Sequence, residues 1–292
     1  MTFKECKDQV NQKENLESLF ELWRKAHGVE IDENFGQQNI SKEKFEKDIY
    51  NKKGNTISSH FTQFFEKECS KCQKARNIEK NVWEIALKKA FNMDGTYENF
   101  KIKEGGNRNI CLLKEANDSK KMCVNDYLFE TNIVNEWVVE DSKETCGRKY
   151  RSHMLDKLNT AFALYSNQKQ ENFDFRSEMA FMNINKRGGT STTAGRDETA
   201  VVNYAKEYRK FILKEIDILR EHNDVTIFVC GSESYFKRLM IALFPEEKEK
   251  IKNHKENIYL KGKIKFIKIS HPSYWKVSPE QLAQEMQGEI RK

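Results

Sequence analysis

The pattern of apolar positions along this chain changes near residue 108. Before that point they recur every three or four residues, the spacing of a helix with one buried face. Asn15 to His27 carries Leu16, Leu19, Phe20, Leu22 and Trp23 in this pattern, and Phe61 to Ala75 and Lys80 to Phe91 repeat it. The pattern predicts an N-terminal helical region over residues 1–104, packed as a layer on a larger domain over residues 105–292.

After that point come short apolar runs that stop abruptly in polar residues: Asn109 to Leu113, Met179 to Asn183, Val225 to Cys230 and Ile264 to Ile269. Runs of this length fit strands, and the first three are apolar on both faces, as a buried parallel sheet requires. Helical spacing separates them over Glu198 to His222 and Glu233 to Phe244. A last helix is expected from Ser278 to Ile290, opened by Ser278 as N-cap and Pro279 at the first helical position. Strands alternating with helices predict an α/β fold with right-handed crossovers and helices on both faces of a parallel sheet.

In such a sheet the chemistry belongs to the loops beyond the carboxyl ends of the strands. Those loops are expected at Lys114 to Ser119, Asn183 to Gly189, Gly231 to Ser234 and Ser270 to Trp275. Together they supply a carboxylate, amides, basic groups and a histidine.

Composition narrows the picture. With 292 residues, 38% hydrophobic and 11% aromatic, the chain can bury a sizeable core, and 51 Lys and Arg against 45 Asp and Glu leave it mildly basic at +6. That charge permits a nucleic-acid partner without requiring one. No apolar run approaches the roughly 20 residues that cross a bilayer, and the first residues lack the features of a secretory leader, so the expectation is a cytoplasmic protein without a membrane partner. Seven irregularly spaced cysteines do not suggest a disulfide framework.

The four loops, in this order, resemble the uracil-DNA glycosylase superfamily. The resemblance covers roughly residues 105–290 and is most specific at Ser270-His271-Pro272-Ser273-Tyr274-Trp275 followed by the Ser278-Pro279 helix start. The segment Met182-Asn183-Ile184-Asn185-Lys186-Arg187-Gly188-Gly189 is similar to a diverged branch of it. The implied fold is a three-layer α/β/α arrangement around a central four-stranded parallel sheet. In the first loop, better-known members place a Gly and a Pro around a water-activating Asp or Asn. Here the residues are Leu113-Lys114-Glu115-Ala116-Asn117, which puts Glu115 at the acidic position and leaves Asn117 and Asp118 as competitors.

The resemblance implies hydrolysis of the N-glycosidic bond of a flipped base, leaving an abasic site. That reaction passes through an oxocarbenium-like sugar and expels an anionic base. Glu115 would stabilise the cation and orient water, Asn183 would read the base edge, and His271 would donate to the carbonyl on which charge develops. Asn117, Asp118, Asn185 and a stacking Phe129 are the further base-binding candidates. Lys186, Arg187, Gly188, Gly189, Ser232, Ser273 and Tyr274 are the candidates for DNA contact. The implied partner is DNA, double- or single-stranded and modified phage DNA included, bound by a monomer in repair or antiviral defence. Uracil and a hypermodified base are both open as substrates. No cofactor is required; Cys69 and Cys72 have metal-ligand spacing, and a zinc or iron–sulfur site there is the lesser alternative because a second such pair is absent. A catalytically silent nucleic-acid-binding module and a nucleoside hydrolase remain the competing classes.

Overall fold

The computed structural model describes residues 1–35, 56–57, 91, 108–117, 146–167, 178–189, 196–253, 257–272 and 274–288. They build a mixed α/β protein around a five-stranded sheet. In chain order the elements are α1 (Phe3–Gln9), α2 (Leu16–Phe35), β1 (Arg108–Asn117), α3 (Cys146–Tyr165), β2 (Met179–Gly189), α4 (Arg196–Glu207), α5 (Arg209–Arg220), β3 (Val225–Cys230), α6 (Glu233–Leu243), α7 (Lys248–Asn253), β4 (Ile258–Lys261), β5 (Ile264–Ile269) and α8 (Pro279–Gln287). The helical stretches expected at 61–75 and 80–91 lie outside the described residues, apart from Phe91.

The strand order is β2-β1-β3-β5-β4. β3 lies parallel to β1 and to β5, whereas β4 pairs with β5 antiparallel. The expected four-stranded parallel sheet is therefore corrected to five strands with an antiparallel edge. The added strand comes from a hairpin that turns at Gly262-Lys263 and registers Lys261 opposite Ile264. Gly262 has φ +58, the conformation that a two-residue hairpin turn demands and that glycine adopts at no steric cost.

Two further differences concern length. β1 and β2 continue past the ends of their apolar runs, so Lys114 to Asn117 and Asn183 to Gly189 are strand residues rather than loops. The single helix expected over 198–222 is two consecutive helices, with Tyr208 between them. Its N–H still donates to Tyr204 O, and its carbonyl accepts from Ile212 N–H.

The chain divides into two compact units: residues 1–93, 114–133 and 183–219 form one, and residues 94–113, 134–182 and 220–292 form the other. In the second, alternate strand residues Cys111, Leu113, Met179, Phe181, Phe228, Cys230, Ile267 and Ile269 make one apolar face. Leu158 and Phe162 of α3 and Leu282 and Met286 of α8 share its core. Ile110, Leu112, Ile227, Val229 and Phe266, at the intervening positions, are buried as well. Double burial explains why β3 is apolar at nearly every position.

In the first unit, α2 buries Leu19, Trp23, Ala26, His27, Glu30 and Ile31, one stripe at helical spacing. Asn15 Oδ1 accepts from Ser18 N–H at 2.9 Å and caps its start. Trp23 lies in an aromatic group with Tyr204, Tyr208, Phe211 and Phe91.

Candidate functional site

In the second unit, the carboxyl ends of β3 and β5 lie side by side, because Cys230 is in register with Ile269. Gly231 N–H then donates to Ile269 O at 2.9 Å, which ties the turn after β3 to the last residue of β5. Gly231 has to be glycine: a Cβ there would stand 2.5 Å from Tyr235 Cδ1. Ser232 follows as N-cap of α6, its hydroxyl accepting from Tyr235 N–H at 3.1 Å.

Beside it, His271 emerges half-buried from the end of β5. Its carbonyl accepts from Tyr274 N–H at 2.8 Å, so His271 to Tyr274 is a turn, with buried Pro272 fixing φ at its second position. Tyr274 O in turn accepts from Val277 N–H at 3.2 Å and from Lys157 Nζ at 3.0 Å. Burial lowers the pKa of Lys157 from its ordinary value. On the preceding side, Ser270 N–H and Oγ both bind Glu285 of α8, at 2.6 and 3.0 Å. The histidine loop is thus fixed at both ends, while Tyr274 and Trp275 remain 46% and 80% exposed. Lys276 Nζ stands 5.2 Å from the Trp275 ring centroid. An exposed tryptophan four residues beyond a half-buried histidine, with a lysine over its ring, can stack on a base and meet a phosphate.

In the first unit, the second half of β2 is organised differently. Asn183 is buried, and Asn185 is wholly buried with Oδ1 accepting from Arg187 N–H at 3.1 Å. Lys186 and Arg187, expected on a basic phosphate-clamping loop, are fully buried strand residues, and that expectation is corrected. Lys186 Nζ meets Glu215 Oε1 and Oε2 at 2.9 and 2.8 Å. Arg187 Nη2 donates to Glu30 Oε2 at 2.7 Å, and Tyr208 OH donates to the same oxygen at 2.5 Å. Thr56 Oγ1 supplies Glu30 Oε1 at 3.1 Å.

Among the described residues Arg187 Nε and Nη1 have no hydrogen-bond acceptor; the guanidinium carbon faces the Tyr204 and Tyr208 rings at 5.6 and 5.7 Å instead. Burial works against this charge, but Tyr208, Glu30 and Tyr204 outweigh it and hold the arginine pKa above its ordinary value. Burial also raises both tyrosine hydroxyls well above theirs. His27 Nε2 lies 2.6 Å from Tyr204 OH within the same cluster. Charges that must be paired inside the fold cannot also neutralise phosphates.

Of the other nominated residues, Glu115 and Asn117 are in β1, and Gly188 and Gly189 close β2. Lys114, beside the acidic position, donates to Glu198 of α4 at 2.9 Å. Asp118, Phe129, Ser273, Cys69 and Cys72 lie outside the described residues. Among the described residues no three His, Cys, Asp or Glu stand together as a metal site would require, and no helix is long and apolar enough to cross a membrane. Sequence reasoning missed the roles of Glu30, Glu215 and Glu285. Each is a carboxylate on an otherwise apolar helix face, which is a readable signal that a cationic or N–H partner must exist.

Searches against protein-family models, curated proteins and solved structures find no match for this chain.

Proposed function

We propose that the protein is a DNA glycosylase of the uracil-DNA glycosylase kind, with the three-layer α/β/α core that this implies. The observation that carries the reading is the His271 loop: a half-buried histidine beyond a parallel strand, fixed on both sides, beside the Gly231-Ser232 turn and an exposed tryptophan. In the reaction, water oxygen bonds to the sugar C1′ and the glycosidic electron pair leaves with the base. His271 donates a hydrogen bond to the base carbonyl as that charge develops. Tyr274 and Trp275 contact the strand around the extruded nucleotide.

The test is incubation with uracil-containing oligonucleotides and with DNA carrying modified bases, reading free base by mass spectrometry and abasic sites by alkaline cleavage. Release of one base, lost in His271→Ala, supports the reading. No release from any substrate, with DNA still bound, favours a silent binding module.

A further inference from the structure

We propose that Glu285 is the positioning residue of the His271 loop, its buried carboxylate fixing the residue before the histidine and so setting where the imidazole stands. The kinetic part of this inference rests on the glycosylase reading; the structural part does not.

Glu285 is 1% exposed on the face of α8 that also buries Leu282, Ala283 and Met286. An apolar residue would be the default there, since burying a carboxylate is costly and a buried ion pair is seldom a net gain over a well-packed apolar side chain. The position lies in the last turn of α8, where the helix dipole also disfavours negative charge. Helix stability therefore does not account for Glu285, and its contacts do. Oε2 accepts from Ser270 N–H at 2.6 Å, Oε1 accepts from Ser270 Oγ at 3.0 Å, and Lys268 Nζ approaches Oε1 at 3.9 Å.

The location of these bonds matters. The β3–β5 ladder ends at Ile269, whose carbonyl is taken by Gly231 N–H, and the turn that holds His271 begins at its own carbonyl. Ser270 is the one residue between strand and turn, and Glu285 grips both its backbone and its side chain. Three consecutive residues are thus held by three different parts of the fold: Ile269 by the β3 turn, Ser270 by α8 and His271 by its own turn. A histidine required to meet a developing charge needs its backbone fixed closely, because small misplacements of a catalytic group are expensive in rate.

The experiment uses the full chain with Glu285→Leu, Ser270→Ala and His271→Ala. Leucine offers no acceptor, so both Ser270 donors lose their partner. Thermal melting checks that each variant folds. A ¹H–¹³C correlation spectrum of the six histidines, with the His271 signal identified by its loss in His271→Ala, reads the ring's surroundings directly. Glu285→Leu should move or broaden that signal while leaving the others in place. It should also lower kcat for base release about tenfold with KM for DNA within about twofold. Ser270→Ala, which removes one of the two bonds, should give the same changes at smaller size.

An unmoved His271 signal in Glu285→Leu overturns the proposal, and if that variant fails to fold, an unmoved signal in Ser270→Ala does so. A shifted signal in a protein that releases no base upholds the positioning role while the glycosylase reading fails.

Discussion

Glu30 and Arg187 are 157 residues apart in the chain and form a buried ion pair at 2.7 Å. The pair joins α2 to the second half of β2, and Tyr208, in contact with both, brings in the junction of α4 and α5. A charge on one segment is therefore acceptable in the interior only because a distant segment supplies its counter-charge.

Removing one partner should be much worse than removing both. Arg187→Met leaves the Glu30 carboxylate buried opposite an apolar side chain and should cost about 3–5 kcal/mol, whereas Glu30→Leu combined with Arg187→Met should recover most of that loss. Urea denaturation of the wild type, the two single variants and the double variant checks this. A loss in the double variant equal to the sum of the losses in Arg187→Met and in Glu30→Leu alone would show that the pair is not coupled.

Lys186 should behave as a core residue. Lys186→Met breaks its contact with Glu215 and should lower the melting temperature, while the salt dependence of DNA binding by the folded fraction keeps its wild-type slope. A flatter slope in a protein of unchanged stability would return Lys186 to the phosphate contacts that its sequence context suggests.

The N-terminal segment should be indispensable. A chain starting at residue 105 loses Glu30, Trp23 and His27 together, leaving Arg187 without its carboxylate and Tyr204 and Tyr208 without their packing partners. Its near-ultraviolet circular dichroism should fall sharply, because the Trp23, Tyr204 and Tyr208 packing is lost. An unchanged near-ultraviolet spectrum would contradict this.

Trp275 should separate binding from stability. At 80% exposure its replacement by alanine should change stability by no more than about 0.5 kcal/mol. If the residue stacks on a base, the same change should weaken single-strand binding by about 1–3 kcal/mol, read by fluorescence anisotropy. Undiminished affinity would remove Trp275 from the DNA contact.

Acid should loosen the β4 edge through Glu247. Lys261, Tyr259 and Lys250 hold its carboxyl at about 2, below the ordinary 4.5. Because the folded value is the lower one, this stabilisation is complete above pH 4.5 and is lost as pH falls from 4.5 towards about 2. The urea midpoints of wild type and Glu247→Gln should therefore converge across that window. A gap that stays constant down to pH 2 would show that the carboxylate contributes nothing through its charge.

The sequence by itself determined what local rules govern. Strands β3 and β5 have the bounds that their apolar runs predict, and α8 begins after Ser278 with Pro279 in its first turn. A capping box, in which Ser278 and Gln281 bind each other's backbone N–H, spans only four residues and needs nothing remote. His271 beyond the end of β5 was legible for the same reason. The hairpin at Gly262 was also written locally, but β4 is short and half polar, which hid it beside the apolar runs. Tertiary structure alone decided the rest. Nothing near Lys186-Arg187-Gly188-Gly189 distinguishes a solvated basic loop from a buried strand, because the free energy of burying a charge depends on whether a carboxylate arrives from elsewhere. Glu30 and Glu215 do arrive, and Glu285 likewise reaches Ser270 from another element. Periodicity and capping are set within a few residues, whereas desolvation and pairing are set by the whole fold.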